Sequence, residues 1–237
     1  MTATAKPKSK SAKKSKSSAG LWLVGGAILL LALVVIILVM NQQQGATTSI
    51  AAPDVPAEWI NGTSIGSPEA TVVVQGWEDF LCPACQQWNR DVKDTFLEQY
   101  VNTGKVRFEF HQFPLQQHYP GALQAAMASQ CVADQNEFWP YHDSVFQAAT
   151  TRGQAGTEVE ALIGYARELG IDEGALRNCM NNLTHQATVL ASLEQARQLG
   201  LSSTPSILVD GQLVSNPFNF NALAATIDAA LAANGSN

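Results

Sequence analysis

Trp77-Glu78-Asp79-Phe80-Leu81-Cys82-Pro83-Ala84-Cys85 decides how the rest of the chain is read. The apolar run Thr71-Val72-Val73-Val74 before it reads as a buried strand, and a helix-like pattern behind it runs towards Val101. A Cys-x-x-Cys at a strand-to-helix junction is the sequence form of a thiol–disulfide redox site. Three residues apart in a first helical turn, two sulfurs can bond each other. Cys82 sits at the N-terminus of that turn, where unpaired N–H groups and the helix dipole favour a thiolate. Cys85, one turn deeper, is placed to attack a mixed disulfide held on Cys82. Pro83 fits, because proline costs little in a first helical turn. A structural bridge and a metal site are the competing readings. Zinc needs further Cys or His ligands at recognisable spacing, and the sequence has neither a second Cys-x-x-Cys nor a His-x3-5-His. No metal and no cofactor is called for.

Working outward, the charge divides sharply. Formal charge is −6 over 237 residues, yet six of the 14 basic residues are lysines at 6, 8, 10, 13, 14 and 16. The remaining eight face all 20 acidic residues, which gives the body a charge of −12. So acidic a body argues against nucleic-acid binding. An apolar content of 46% supports a real core. Besides the Cys-x-x-Cys there is one distant pair, Cys131 and Cys179, and that usage suits an oxidising compartment.

Residues 1–20 form a basic Lys/Ser/Ala-rich tail with little to bury, read as disordered and cytoplasmic. Residues 21–40 carry no charge and as a helix would span about 30 Å, the hydrocarbon thickness of a bilayer. The lysines before them place the N-terminus inside and the body outside. A cleaved signal peptide competes, but its apolar region is normally about 7–15 residues, so an uncleaved single-pass anchor is expected. Residues 41–64 read as a polar linker, and the folded domain as 65–234 with a helical insertion at about 117–199.

Within that domain, Val106 to Phe110 alternates as a second strand. Helical spacing follows through Ala122–Cys131 and Phe138–Phe146. Thr157-x-x-Glu160 reads as a capping box, and Asp172 as the cap of a short helix carrying Cys179. After a helix from about Leu183 to Leu199, Ile207 to Val214 reads as a hairpin through Asp210-Gly211, and a last amphipathic helix closes the chain. The order is strand, helix, strand, helical block, hairpin, helix: an α/β, thioredoxin-like layout with an inserted helical subdomain.

Three segments together resemble the DsbA-like thiol–disulfide oxidoreductases, especially their membrane-anchored bacterial branch. They are Asp79-Phe80-Leu81-Cys82-Pro83-Ala84-Cys85, Phe138-Trp139-Pro140-Tyr141-His142 and Gly200-Leu201-Ser202-Ser203-Thr204-Pro205. By that resemblance Cys82 is the nucleophile, Cys85 the resolving thiol, and Pro205 takes the place of the family's cis-proline opposite the disulfide. A cis bond there would present the Thr204 backbone to an extended substrate, which could pair with it by strand addition. An ordinary trans turn is the alternative. The dipeptide Pro83-Ala84 lacks the histidine of the best-known members, which removes one thiolate stabiliser.

Glu78 and Asp79 are candidate proton acceptors for Cys85, provided burial raises a carboxyl pKa; otherwise one of them is a solvated loop acid. Trp77 and Phe80 are expected to pack, and the four histidines receive no role. Cys131 and Cys179, on apolar helix faces, are either two buried thiols or a structural disulfide. The resemblance to anchored relatives with a second disulfide favours the bridge.

The resemblance implies an extracytoplasmic oxidase for exported proteins with free thiols, working through a Cys82 mixed disulfide resolved by Cys85. A quinone-linked membrane reoxidase would restore it. A reductase or isomerase of the same fold, and a non-enzymatic peptide-binding module, are the alternatives.

Overall fold

The computed structural model describes Thr2 and residues 54–235. The expected tail and anchor at 1–40 therefore lie outside the described residues, Thr2 apart. Among the described residues no helix is long and apolar enough to cross a membrane.

Six strands make one sheet: β1 (Ile60–Asn61), β2 (Ser64–Ile65), β3 (Val72–Glu78), β4 (Val106–Gln112), β5 (Ser206–Val209) and β6 (Gln212–Leu213), in the order β1-β2-β4-β3-β5-β6. Only β3 and β4 pair in parallel. A parallel pair needs a crossover, and the chain supplies it with α1 (Pro83–Trp88), prolonged through two π-helical turns to Val101. Between β4 and β5 comes the helical block: α2 (Gly121–Ala133), α3 (Phe138–Arg152), α4 (Val159–Glu168), α5 (Glu173–Asn181) and α6 (Gln186–Gln198). Helix α7 (Phe220–Asn234) follows the hairpin. This is the thioredoxin-like arrangement with a helical insertion.

Alternation on the parallel pair sets the core. Val72, Val74 and Gly76 face one side of β3, in register with Val106, Phe108 and Phe110 of β4, and all six are buried. The same period carries Glu78 onto that buried face, opposite Gln112. Trp77, on the other face, stacks on His111 with ring centroids 4.2 Å apart and packs with Leu193, Leu201 and Leu208.

Two local expectations are corrected. The sheet begins inside the segment read as linker: Gly66 N donates to Trp59 O, and β1 and β2 form a hairpin through Gly62-Thr63, with Gly62 at φ +57°. Trp59 and Ile60 supply apolar surface there, and the fully buried Ile65 locks the hairpin to the core. The Thr157–Glu160 capping box does not form. Helix α4 starts one residue later, Thr157 donates to Gln154 O, and Glu160 is engaged by Arg177 at 2.6 Å. Asp172 does cap α5, accepting from Ala175 N at 3.0 Å. The Asp210-Gly211 hairpin is present, with both residues at positive φ.

Candidate active site

Cys82 occupies the N-cap of α1 with extended backbone, and Pro83 follows at the first helical position. Neither sulfur is disulfide-bonded. The Cys85 thiol donates to the Cys82 sulfur, which is the largest effect lowering the Cys82 pKa. Burial opposes it, while the Thr204 side chain and the Cys85 and Ala84 amides add to it, and Cys82 settles at about 5. Cys85 moves the other way. It is fully buried, and burial first, then Cys82 and the Glu78 charge, push it well above its ordinary value. Its sulfur accepts from the Asp79 N–H at 3.5 Å. The two cysteines are thus split into an acidic thiol at the helix N-terminus and a weakly acidic one deeper in the core, a division of labour that suits thiol–disulfide exchange.

The two acids differ from the expectation that one is solvated. Glu78 is 0% exposed and Asp79 2%. Asp79 is spent on structure: Oδ1 accepts from Leu81 N at 2.8 Å, and Oδ2 from Leu115 N at 2.9 Å. His118 Nδ1 meets the same Oδ2 at 2.7 Å. The carboxylate therefore pins the residues before Cys82 to the loop after β4. Glu78 is different. Burial pushes its carboxyl up to about 8, against the Asn89 hydrogen bond and the Lys93 charge. Oε2 accepts from Asn89 Nδ2 at 2.6 Å. Three buried acceptors, Glu78 Oε1, Asn89 Oδ1 and Gln112 Oε1, have no partner among the described residues. A proton on Glu78 converts one acceptor into a donor, as its raised pKa requires.

Behind Glu78 lies a charge cluster around the buried Lys93 and His142 that sequence reasoning missed. Lys93 Nζ meets Asp143 Oδ1 at 2.7 Å and Asp94 Oδ1 at 3.2 Å. His142 Nδ1 shares the same Asp143 oxygen at 2.7 Å, and its ring sits among Phe80, Phe110, Phe138, Trp139 and Phe146. Burial lowers the His142 pKa, so it is a neutral core histidine. Spacing gave no signal for these contacts, because Lys93 and His142 lie on different helices.

Thr204 and Pro205 come from the other end of the domain. Their peptide bond is cis, and the Thr204 carbonyl accepts from Cys82 Sγ at 3.4 Å, across 122 residues of sequence. Strand β5 begins only at Ser206, so Thr204 stands just outside the sheet, beside the nucleophile. Cys131 and Cys179 are joined by a disulfide that ties α2 to α5. His185 brings a ring nitrogen within 4.8 Å of both sulfurs, the one such three-residue grouping among the described residues. Those sulfurs are bonded to each other, so they are not thiolate ligands for a metal.

Residues 59–229 match the family described as Thioredoxin. The chain is 29% identical over 167 residues to the probable disulfide bond formation protein D of Bacillus anthracis, covering 70% of this chain and 76% of that one. It is equally similar, over 167 residues, to the Na(+)/H(+) antiporter NhaA 3 of Salinispora tropica, but spans only 24% of that longer protein. Among solved structures, oxidised BdbD from Bacillus subtilis superposes with a TM-score of 0.67 at 23% identity, covering 73% of this chain and 94% of that one.

Proposed function

The chain belongs to the thioredoxin family, and from that premise we propose that it forms disulfides in exported proteins, with Cys82 as nucleophilic centre and Cys85 as its partner. It is a protein disulfide oxidoreductase, in keeping with relatives named disulfide bond formation protein D. The observation that carries the direction is the place of Cys82, at the N-cap of α1 with Cys85 and Thr204 beside it, which holds its pKa at about 5. A thiolate stabilised in the dithiol form makes the disulfide form a better electron acceptor.

Electron count refines the role expected for Cys85. In the oxidising direction a substrate thiolate attacks Cys82 of the Cys82–Cys85 disulfide. The bond between the two enzyme sulfurs breaks, and Cys85 leaves as a thiolate. The substrate's second thiolate then attacks its own sulfur in the mixed disulfide, closes the substrate disulfide and releases Cys82 as thiolate. Two electrons pass from substrate to enzyme. Cys85 therefore breaks the mixed disulfide only in the reverse, reducing direction. In the forward direction it is a leaving group that needs a proton, because its pKa lies well above that of Cys82. Glu78, largely protonated at neutral pH with a pKa of about 8, is the residue suited to supply it. Asp79 is a positioning residue. Thr204, beside Cys82, offers backbone groups to an extended substrate, and such pairing gives affinity without sequence specificity.

The uncharged stretch at 21–40 supports a single-pass anchor that keeps the folded domain outside the membrane. Each turnover leaves the enzyme reduced, so an acceptor must reoxidise it. A quinone-linked membrane protein fits that need. To test the reading, oxidised full-length protein in detergent is mixed with a reduced dithiol peptide. One peptide disulfide per enzyme is expected, and none with Cys82→Ser. Transfer by Cys82→Ser, or none by the wild type, would sink it.

A further inference from the structure

Asn89 is buried one turn beyond Cys85 and touches both halves of the site. Its Nδ2 donates to Glu78 Oε2 at 2.6 Å and to the Cys85 carbonyl at 3.1 Å. One side chain thus ties the carboxyl at the end of β3 to the helical turn that carries Cys85. The backbone provides for this. Asn89 opens the π-helical turn Asn89–Lys93, and both end residues are buried, at 7% and 5% exposure. Such widened turns recur at functional sites.

The strand makes room from the other side. A Cβ on Gly76 would lie 2.8 Å from the Phe108 ring and 3.2 Å from Glu78 Oε1. With glycine there, the Glu78 carboxyl and the Phe108 ring occupy that space. The carboxyl has neighbours on both sides, but Asn89 makes its one hydrogen bond among the described residues.

We propose that Asn89 is a positioning residue for proton exchange between Glu78 and Cys85, fixing where the carboxyl sits and how tightly it holds its proton. This rests on the reading of Glu78 as proton donor given above. The charged and titratable groups that act on Glu78 are Cys82 and Cys85 on α1, Lys93 on the π-helical turn and Asp143 on α3. Asn89 is the neutral donor among them. An amide donor favours the carboxylate over the acid, so its loss makes Glu78 a weaker acid.

The test uses full-length protein in detergent and two readouts. The Glu78 carboxyl is titrated by infrared difference spectroscopy in the oxidised protein, where neither cysteine of the pair ionises, with Glu78→Gln assigning the band. Single-turnover oxidation of a reduced dithiol peptide is followed across pH. The ratio of variant to wild-type rate cancels the peptide's own ionisation. Asn89→Ala is expected to move the Glu78 midpoint up by about one pH unit, a tenfold weaker acid. Its rate ratio should vary with pH when Glu78 is present and be flat in the Glu78→Gln background. An unmoved midpoint overturns the role of Asn89 alone, and so does the same pH-dependent ratio without Glu78. If Glu78→Gln leaves the rate profile of the wild type intact, the proton-donor reading falls and the inference falls with it. Should the alanine variant not fold, Asn89→Ser, which draws the donor back out of reach, gives the same readouts.

Discussion

Replacing Cys85 by alanine is expected to raise the Cys82 pKa while leaving the rest of its surroundings in place. The Cys85 thiol is the largest of the effects that hold Cys82 at about 5. A hydrogen bond to a charged group is worth about 1.5–3 kcal/mol, or about one to two pKa units. A thiol is a weak donor, so the lower end applies and the midpoint should move to about 6. The assay is thiolate absorbance near 240 nm against pH in the reduced full-length protein. Cys85→Ala removes the second thiol, and the wild-type Cys85 ionises well above the range of interest, so both titrations report Cys82. Cys85→Ser keeps an O–H donor and should stay nearer the wild type. Equal midpoints for wild type and Cys85→Ala would refute the reasoning, and would leave Thr204 and the α1 amides as the source of the acidic thiol.

Two further outcomes follow from burial and connectivity. Glu78 titrates near 8 when folded against 4.5 for the free group, so between those values the unfolded chain binds fewer protons and stability falls as pH rises. Glu78→Gln removes that slope. It should gain on the wild type from pH 4.5 upwards, by about 3 kcal/mol at most at pH 7, and urea unfolding at the two pH values checks it. Parallel pH dependence in the two proteins would contradict it. The Cys131–Cys179 bridge spans a sequence separation of 48 residues, and its removal by a Cys131→Ala/Cys179→Ala double variant should cost about 4 kcal/mol by chain entropy. The Cys82 midpoint should stay near 5 in that variant, and a shift would show that the helical block holds the site in place.

The sequence revealed most where a local rule acts on consecutive residues. The apolar run before Cys82, the proline after it and the Asp210-Gly211 turn each predict their own conformation, and the structure has a strand, a helix start and a hairpin there. It revealed less where distant residues decide. Thr157 and Glu160 have the spacing of a capping box, but Gln154 and Arg177 compete for their side chains. Asn61-Gly62, inside the segment read as a polar linker, is a turn signal that starts the domain before Ile65.

Glu78 was also within reach. Counting in twos from Val72 and Val74 puts it on the buried face, so a solvated role was excluded by the strand's own period. Asn89 and Lys93 carried no such signal, because their burial depends on a π-helical turn that helical spacing of 3.6 does not foresee. Thr204, whose carbonyl reaches Cys82 across 122 residues of sequence, was legible only through the family resemblance of the Gly200–Pro205 segment. With no histidine between the cysteines, the Cys85 thiol is the largest of the effects that lower the Cys82 pKa.

The reduction potential of the Cys82–Cys85 pair, measured by equilibrating the full-length protein with glutathione buffers, tests the central claim most directly. Thioredoxin, with a thiol pKa near 7, has a potential of about −270 mV. A Cys82 pKa of about 5 stabilises the reduced form at pH 7 by a further factor of about fifty, which is about 50 mV for a two-electron couple. The account therefore predicts about −220 mV or higher, towards the −120 mV or so of a strong oxidant. A value at or below about −270 mV would contradict it and mark the protein as a reductase, and a pair that does not cycle would remove the redox chemistry altogether.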